Sequence, residues 1–336
     1  MESITVGIDL AKQVFSVCVM DGRGRVTQRH ELKREALRAW LMQLPAGTVV
    51  AMEACSGAHY WGRYCEQQGL LPRLMAAQFV KPFRKNSAIK NDRQDAEAIA
   101  TAARQGNMRF VSIKTEDQQA RLSWHRVREG YKKDALAVMN RIRGLLSEFG
   151  IVIGQSAVAL RRALADLETM SLPPEFEQLV RLQQRYWEAI DACEAACAKK
   201  INDHAEHDER CQRIRGLTGV GPLTADAMVA TLGNASDFKN GRQCAAWMGL
   251  TPSQFGTGGK VQLGKISCRG DSYLRTLLIQ GARSSLQRAK LTPADKATAE
   301  QLWIVQLAAR LPFGKVLVAI ANKHVRQIWA MLARNE

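Results

Sequence analysis

Three strand-like runs crowd the first thirty residues, at 3–10, 14–20 and 25–30, and this spacing constrains the fold more than any other feature of the chain. Short turns separate the runs, so they read as adjacent strands. Further strand patterns at 48–53 and 71–76 then alternate with helical patterns at about 34–44, 58–68 and 92–105. Residues 1–112 therefore read as one α/β domain.

Acids fall at telling places in that domain. Asp9 closes the β-branched run Ile4-Thr5-Val6-Gly7-Ile8, and Glu53 closes Thr48-Val49-Val50-Ala51-Met52. Asp92 and Asp95 are three apart at the start of a helical pattern, so both project from one face of its first turn. Hard oxygen ligands from two strands and one helix suit Mg²⁺ or Mn²⁺, the ions of phosphodiester chemistry. A meander followed by strand–helix alternation, with acids at the sheet centre, is the RNase H-like arrangement. A Rossmann-like domain with incidental acids is the other reading, and no Gly-x-Gly-x-x-Gly loop supports it.

The formal charge of +16, from 48 Lys and Arg against 32 Asp and Glu, points to a polyanionic partner, of which nucleic acid is the simplest. Ordinary solubility is the plainer reading of the surplus. The basic residues spread along the chain, with denser stretches at 81–93, 121–143 and 210–215, as a long binding surface would require. Eight cysteines without a Cys-x-x-Cys pair, no signal peptide and no apolar run of membrane length predict a cytoplasmic protein with free thiols and no membrane partner. Cys193, Cys197, His204, His207 and Cys211 have a spacing that suggests zinc. The competing pattern, Leu179, Leu182, Tyr186, Ala189, Cys193 and Ala196 at three-four spacing, makes Cys193 a helix-core residue instead.

Residues 113–210 read as helical and polar, broken near Phe149-Gly150 and at Ser171-Leu172-Pro173-Pro174. Leu136, Met139, Ile142, Leu145 or Leu146, and Phe149 form one apolar stripe and the 179–196 series another, which predicts two long helices, antiparallel or used for dimerisation. From 211 to 336 a third region opens with Ile214-Arg215-Gly216-Leu217-Thr218-Gly219-Val220-Gly221-Pro222, a helix-hairpin-helix pattern. Gly219 and Gly221 there either offer backbone N–H groups to a phosphate or simply make a tight turn. A Gly-rich basic stretch, 251–260, precedes helical patterns that run from Ser272 to the end with a break near Pro312.

Gly7-Ile8-Asp9-Leu10-Ala11-Lys12, Met52-Glu53-Ala54, Lys90-Asn91-Asp92-Arg93-Gln94-Asp95-Ala96, Gly258-Gly259-Lys260 and Arg269-Gly270-Asp271-Ser272-Tyr273-Leu274-Arg275 occur in that order along nearly the whole chain. Together they resemble the DEDD transposases of bacterial insertion sequences, relatives of the Piv-type DNA invertases. The resemblance implies a RuvC-like N-terminal domain, a coiled-coil linker and a mainly helical C-terminal transposase domain. It also implies donor and target DNA as partners, a guide (bridge) RNA that pairs with both, and a homodimer or homotetramer that is nucleoid-associated when bound to DNA. The four acids map onto Asp9, Glu53, Asp92 and Asp95 as holders of Mg²⁺ or Mn²⁺. Where that family carries its attacking serine, this chain carries Thr257, with Ser253 as the second choice and Ser267 and Ser272 beyond.

On this reading the Thr257 hydroxyl attacks the phosphate, conserving bond energy in an ester, while Lys260 and Arg269 offset charge on the phosphorane. Lys90, Arg93, Gly219 and Gly221 complete the expected nucleic-acid contacts. Because the acids and Thr257 are far apart in sequence, a complete site requires domains to meet, within one chain or between subunits. A hydrolytic RNase H-like nuclease or junction resolvase would use the same acids with water as nucleophile. An idle nucleic-acid-binding protein would bind in a salt-sensitive way without cutting. An actin-like ATPase is disfavoured by the missing second Asp-Gly-Gly-type phosphate motif.

Overall fold

A computed structural model describes residues 4–84, 92–257 and 260–334. The chain divides into two compact units, Met1–Glu116 and Asp117–Glu336.

The first unit is built on a six-stranded sheet in the order β3-β2-β1-β4-β5-β6. β1 (Thr5–Asp9), β2 (Val14–Met20) and β3 (Val26–Lys33) form the antiparallel meander that the short turns require. After α1 (Arg34–Leu41), β4 (Val49–Glu53) returns parallel to β1, and after α2 (Ala58–Gln67), β5 (Leu71–Met75) lies parallel to β4. A short α3 (Ala77–Val80), then α4 (Asp92–Ala103) and β6 (Phe110–Val111), which pairs antiparallel with β5, complete the unit.

The alternation of side chains along the strands sorts residues between two faces. Val6, Ile8, Phe15, Val17, Val19, Val50 and Met52 pack beneath α1 and α2 around Leu37, Leu41 and Trp61. The opposite parity faces α4, where Ala51 and Met75 meet Ala98, Ile99 and Ala102, and Cys18 and Met20 meet Ala96 and Ala100. Gly7, Asp9 and Glu53 share that second parity, so both carboxylates emerge on the α4 side at the ends of neighbouring parallel strands.

In the second unit, α5 (Glu116–Ser147, its first residue aside), α6 (Ala157–Ala165) and α7 (Pro174–His207) pack through Ala135, Val138, Ile142, Leu146, Leu160, Leu164, Val180, Trp187 and Ile190. The two long helices lie where the sequence predicts them, but their buried stripes differ. Leu136 and Phe149 are exposed on α5, and Leu179, Leu182, Tyr186, Ala189, Cys193 and Ala196 are all exposed on α7. The buried face of α7 is displaced around the helix, to Val180, Trp187, Ile190, Cys197, Ile201 and Ala205. Cys193 is therefore not a core residue, because two apolar stripes run side by side on α7 and the larger Trp187 and Ile190 side chains take the inward one. Among the described residues the cysteines and histidines of this region form no metal-ligand group.

α8 (Glu209–Ile214) and α9 (Pro222–Leu232) flank the glycine turn, and α10 (Gly241–Trp247) leads to a two-stranded hairpin, β7 (Pro252–Thr257) with β8 (Lys260–Ile266). The Gly-rich basic stretch 251–260 thus supplies the first strand of this hairpin and the first residue of the second. α11 (Ser272–Leu291), α12 (Ala299–Arg310) and α13 (Phe313–Arg334) close the bundle around Leu278, Ala282, Ile320 and Val325.

Candidate active site

The acids of the first unit converge because of a glycine. A Cβ at Gly7 would stand 2.3 Å from the Ala96 carbonyl oxygen and 2.6 Å from the Ala100 nitrogen, so only a residue without a side chain lets α4 lie this close on β1. That close approach brings the first turn of α4 to the end of β1. One carboxylate oxygen each of Asp9, Asp92 and Asp95 then lie within 4.8 Å of one another. Asp95 is buried, Asp9 half-buried and Asp92 exposed, so the cluster has a closed floor and an open side. The first turn of a helix also favours negative charge, which steadies Asp92 and Asp95 where they stand.

Glu53 is held beside this group rather than within its closest set. The Arg84 guanidinium lies between it and the cluster, with Nη2 donating to Glu53 Oε1 at 3.2 Å and Nε 3.0 Å from Asp95 Oδ1. The second contact is an ion pair without hydrogen-bond alignment, since Arg84 Nε finds no aligned acceptor. Partial burial, with the negative fields of Glu53 and Asp9, pushes the Cys55 thiol upward. In sequence Arg84 is one cation among those of the basic stretch 81–93, with nothing local to single it out.

The donor set fits a divalent cation. All three oxygens are hard ligands and all lie within 4.8 Å of one another, against about 3–4.2 Å between oxygens on an ion with ~2.1 Å bonds, so side-chain movements of about an ångström or two close the set. Asp9, Asp92 and Asp95 would hold the ion, and Arg84 links Glu53 to Asp95 at the edge of the set.

The other residues singled out from the sequence have the following places. Arg93 pairs with Glu31 at 2.7 Å across α4 and β3. Lys90 lies outside the described residues, as do Gly258 and Gly259. Gly219 has φ +90°, and a Cβ there would meet the Gly281 carbonyl at 2.2 Å, so packing against α11 explains this glycine without a ligand. Gly221 is exposed and caps α9 ahead of Pro222. Thr257 and Lys260 face each other as the last pair of the exposed hairpin, and Arg269 is exposed just beyond it. The Ser253 hydroxyl donates to the Lys265 carbonyl at 3.1 Å and is thus already engaged.

A carboxylate at the end of a central strand, meeting two more from a helix laid across it, with Glu53 beside them through Arg84, fits the DEDD nuclease-like class, whose members use a divalent metal. Residues 6–151 match the family model of IS110-type DEDD transposases, and residues 211–298 match that of the transposase IS116/IS110/IS902 family. The chain is 43% identical over 333 residues to a probable family 20 transposase of Pseudomonas aeruginosa, covering 98% of this chain and 96% of that protein. It is 38% identical to the transposase for insertion sequence element IS1111A of Coxiella burnetii, over 98% of this chain and 90% of the other. With the corresponding transposase of IS1328 from Yersinia enterocolitica the identity is 35% over 98% and 97%. The chain belongs to the IS110/IS116 family of DEDD transposases and is a DNA-cleaving and rejoining enzyme.

Proposed function

We propose that this transposase excises and inserts its element through a covalent Thr257 intermediate, with a structured guide RNA choosing donor and target DNA. The observation that carries the chemistry is the convergence of Asp9, Asp92 and Asp95 around Gly7. Mg²⁺ or Mn²⁺ bound there would polarise the scissile phosphate and lower the cost of deprotonating an attacking hydroxyl. The Thr257 oxygen forms a bond to phosphorus as the bond to the departing deoxyribose oxygen breaks, and the proton lost by threonine returns to that leaving oxygen. Lys260, paired with Thr257, offsets negative charge on the phosphorane, and Arg269 stands on the same stretch of chain. Attack by a new strand's hydroxyl on the threonine ester then rejoins DNA and frees Thr257.

The acids and Thr257 belong to different units, so the reaction needs an assembly that presents both to one phosphate. The exposed three-four series Leu179, Leu182, Tyr186, Ala189, Cys193 and Ala196 has the spacing of a coiled-coil seam, which supports pairing of two chains along α7. RNA guidance is supported by the family resemblance and by a diffuse charge of +16, suited to gripping backbone rather than reading bases.

The test incubates purified protein, its co-purifying RNA and Mg²⁺ with labelled donor-junction DNA and resolves the products on a denaturing gel. A protein–DNA adduct lost in both Asp9→Ala and Thr257→Ala supports the proposal. Free cleaved ends without an adduct would make the enzyme a hydrolytic nuclease, and an adduct that survives Thr257→Ala would move the nucleophile to another hydroxyl.

A further inference from the structure

The β7–β8 hairpin has no core of its own. Phe255 is 68% exposed, Val261 64% and Leu263 66%, although a two-stranded ribbon is marginal in water. Its base is tied to the bundle. Ser267 N donates to the Thr251 carbonyl at 2.9 Å. Gly249 and Gly270 let Arg269 and Trp247 backbone approach so closely that an added Cβ would stand 2.1 Å from a carbonyl oxygen at either glycine. A firm root carrying an exposed aromatic blade is a device for contacting something outside the chain.

The register decides which side chains act together. Cross-strand pairs share a face and alternate residues along a strand return to it, so Phe255, Thr257, Lys260 and Gln262 line one face. Gly264 extends that face as an open position. A Cβ there would meet Ser253 Oγ at 2.5 Å and the Phe255 ring at 3.5 Å, so the glycine leaves the ring room to lie along the strand. Phe255 and Thr257 are about 7 Å apart along β7, a separation on the scale of one nucleotide.

Charge identifies the partner. From Lys239 to Gly270 the chain has no Asp or Glu, while Lys239, Arg242, Lys260, Lys265 and Arg269 supply five cations. A face that sets the Phe255 ring beside Lys260, in a stretch this one-sided in charge, repels a second copy of the same stretch and attracts a polyanion.

We propose that Phe255 is a base-stacking residue: its ring takes an unpaired base of a nucleic-acid strand and thereby sets the neighbouring phosphate against the Thr257 hydroxyl and Lys260. Aromatic faces accept any base, so this contact positions a strand without choosing its sequence. Gln262, opposite Phe255, offers its amide to the edge of the stacked base. The inference rests on the proposed function, whose reacting hydroxyl it surrounds.

The experiment measures fluorescence anisotropy of a labelled mixed-sequence 20-nucleotide single strand, and of the matching duplex, with full-length wild type, Phe255→Ala, Phe255→Leu and Phe255→Trp. Thermal melts confirm folding, which substitution of so exposed a side chain should leave unchanged. Phe255→Ala should weaken single-strand binding about tenfold with little change for duplex and no change in salt slope; Trp should restore it and Leu should not. A 5-iodouracil strand should photocross-link to Phe255. Equal affinity in wild type and Phe255→Ala would overturn the inference. So would full rescue by Leu with a changed oligomeric state in Phe255→Ala, which would make the face a protein contact. If the Thr257-dependent adduct forms normally in Phe255→Ala, only this inference fails; if stacking is found but no adduct ever forms, only the covalent mechanism fails.

Discussion

A methyl group at position 7 would press on the Ala96 carbonyl and the Ala100 nitrogen, both backbone atoms that no rotamer change can move. Gly7→Ala should therefore cost about 1–3 kcal/mol in denaturant unfolding and, by lifting α4, open the carboxylate cluster, read as weaker Mn²⁺ binding in titration calorimetry. Unchanged metal affinity would show that α4 is not placed by this contact. Arg84 acts in the opposite sense. Its guanidinium bridges Glu53 and Asp95, so Arg84→Ala should lower metal-free stability by about 1–3 kcal/mol while tightening Mn²⁺ binding, because the carboxylates lose their internal counter-ion. Looser binding would mean that Arg84 shapes the site rather than competing for it. Asp9, Asp92 and Asp95, which the structure brings together, stood out in sequence because strand ends and helix starts leave local patterns, and Glu53, which ends a neighbouring strand, lies beside them. Arg84 did not stand out, because nothing local distinguishes it from the other cations of its stretch, and only its three-dimensional position between two acids does. Gly7 was visible as a motif residue, but its reason, a helix lying across it, was not.

At the scale of elements, each strand of the meander and the two crossovers lie close to where periodicity places them, since in-out alternation along β1, β2 and β4 is a direct imprint of two covered faces. The long helices were legible in extent and not in orientation. α7 carries two apolar stripes one residue apart, and spacing alone does not say which turns inward; the bulk of Trp187 and Ile190 against α5 and α6 decides it. The outward stripe supplies a prediction. Leu182→Glu places a charge on a 53% exposed position, so the monomer fold should persist while self-association weakens at least ~10-fold in sedimentation equilibrium. Trp187→Ala, by contrast, empties a buried site and should cost about 3–5 kcal/mol of stability. An oligomer indifferent to Leu182→Glu would remove α7 as the pairing surface. The hairpin was not legible in sequence because, with both faces exposed, it shows no apolar alternation.

Over the whole second unit, a buried polar hub joins helices that are about a hundred residues apart in sequence. Asp226 on α9 is fully buried, and its Oδ1 accepts from Arg121 Nε at 2.8 Å and also from Arg121 Nη2. Its Oδ2 lies 2.8 Å from His125 Nε2, whose other ring nitrogen meets the Tyr273 hydroxyl of α11 at 2.8 Å. Arg121 Nη1 donates to Asp208 at 2.7 Å, where Arg210 also pairs, and His204 Nδ1 stands 3.9 Å from Asp226. This hub accounts for α5 belonging with the C-terminal bundle, and no sequence pattern announces it, because the partners are distant and each acid or base alone resembles a surface residue. Burial raises both carboxyls, but the hydrogen bonds from His125 and Arg121 at Asp226, and from Arg210 and Arg121 at Asp208, outweigh it and hold both below the usual carboxylate range. A depressed folded value means that the unfolded chain binds protons first as pH falls. The stabilisation is therefore complete above the unfolded carboxylate value of about 4 and is lost as pH drops through the lower folded values. Burial lowers His204, which adds a loss of the same sign beginning near its unfolded value of about 6.5. Asp226→Asn leaves Arg121 buried beside a neutral amide and should cost about 3–5 kcal/mol at pH 7. Its acid unfolding curve should also be shallower than that of the wild type between about pH 4 and pH 2, because one carboxyl no longer has a proton to take up. Parallel curves merely offset in stability would show that Asp226 contributes packing and hydrogen bonds but not charge.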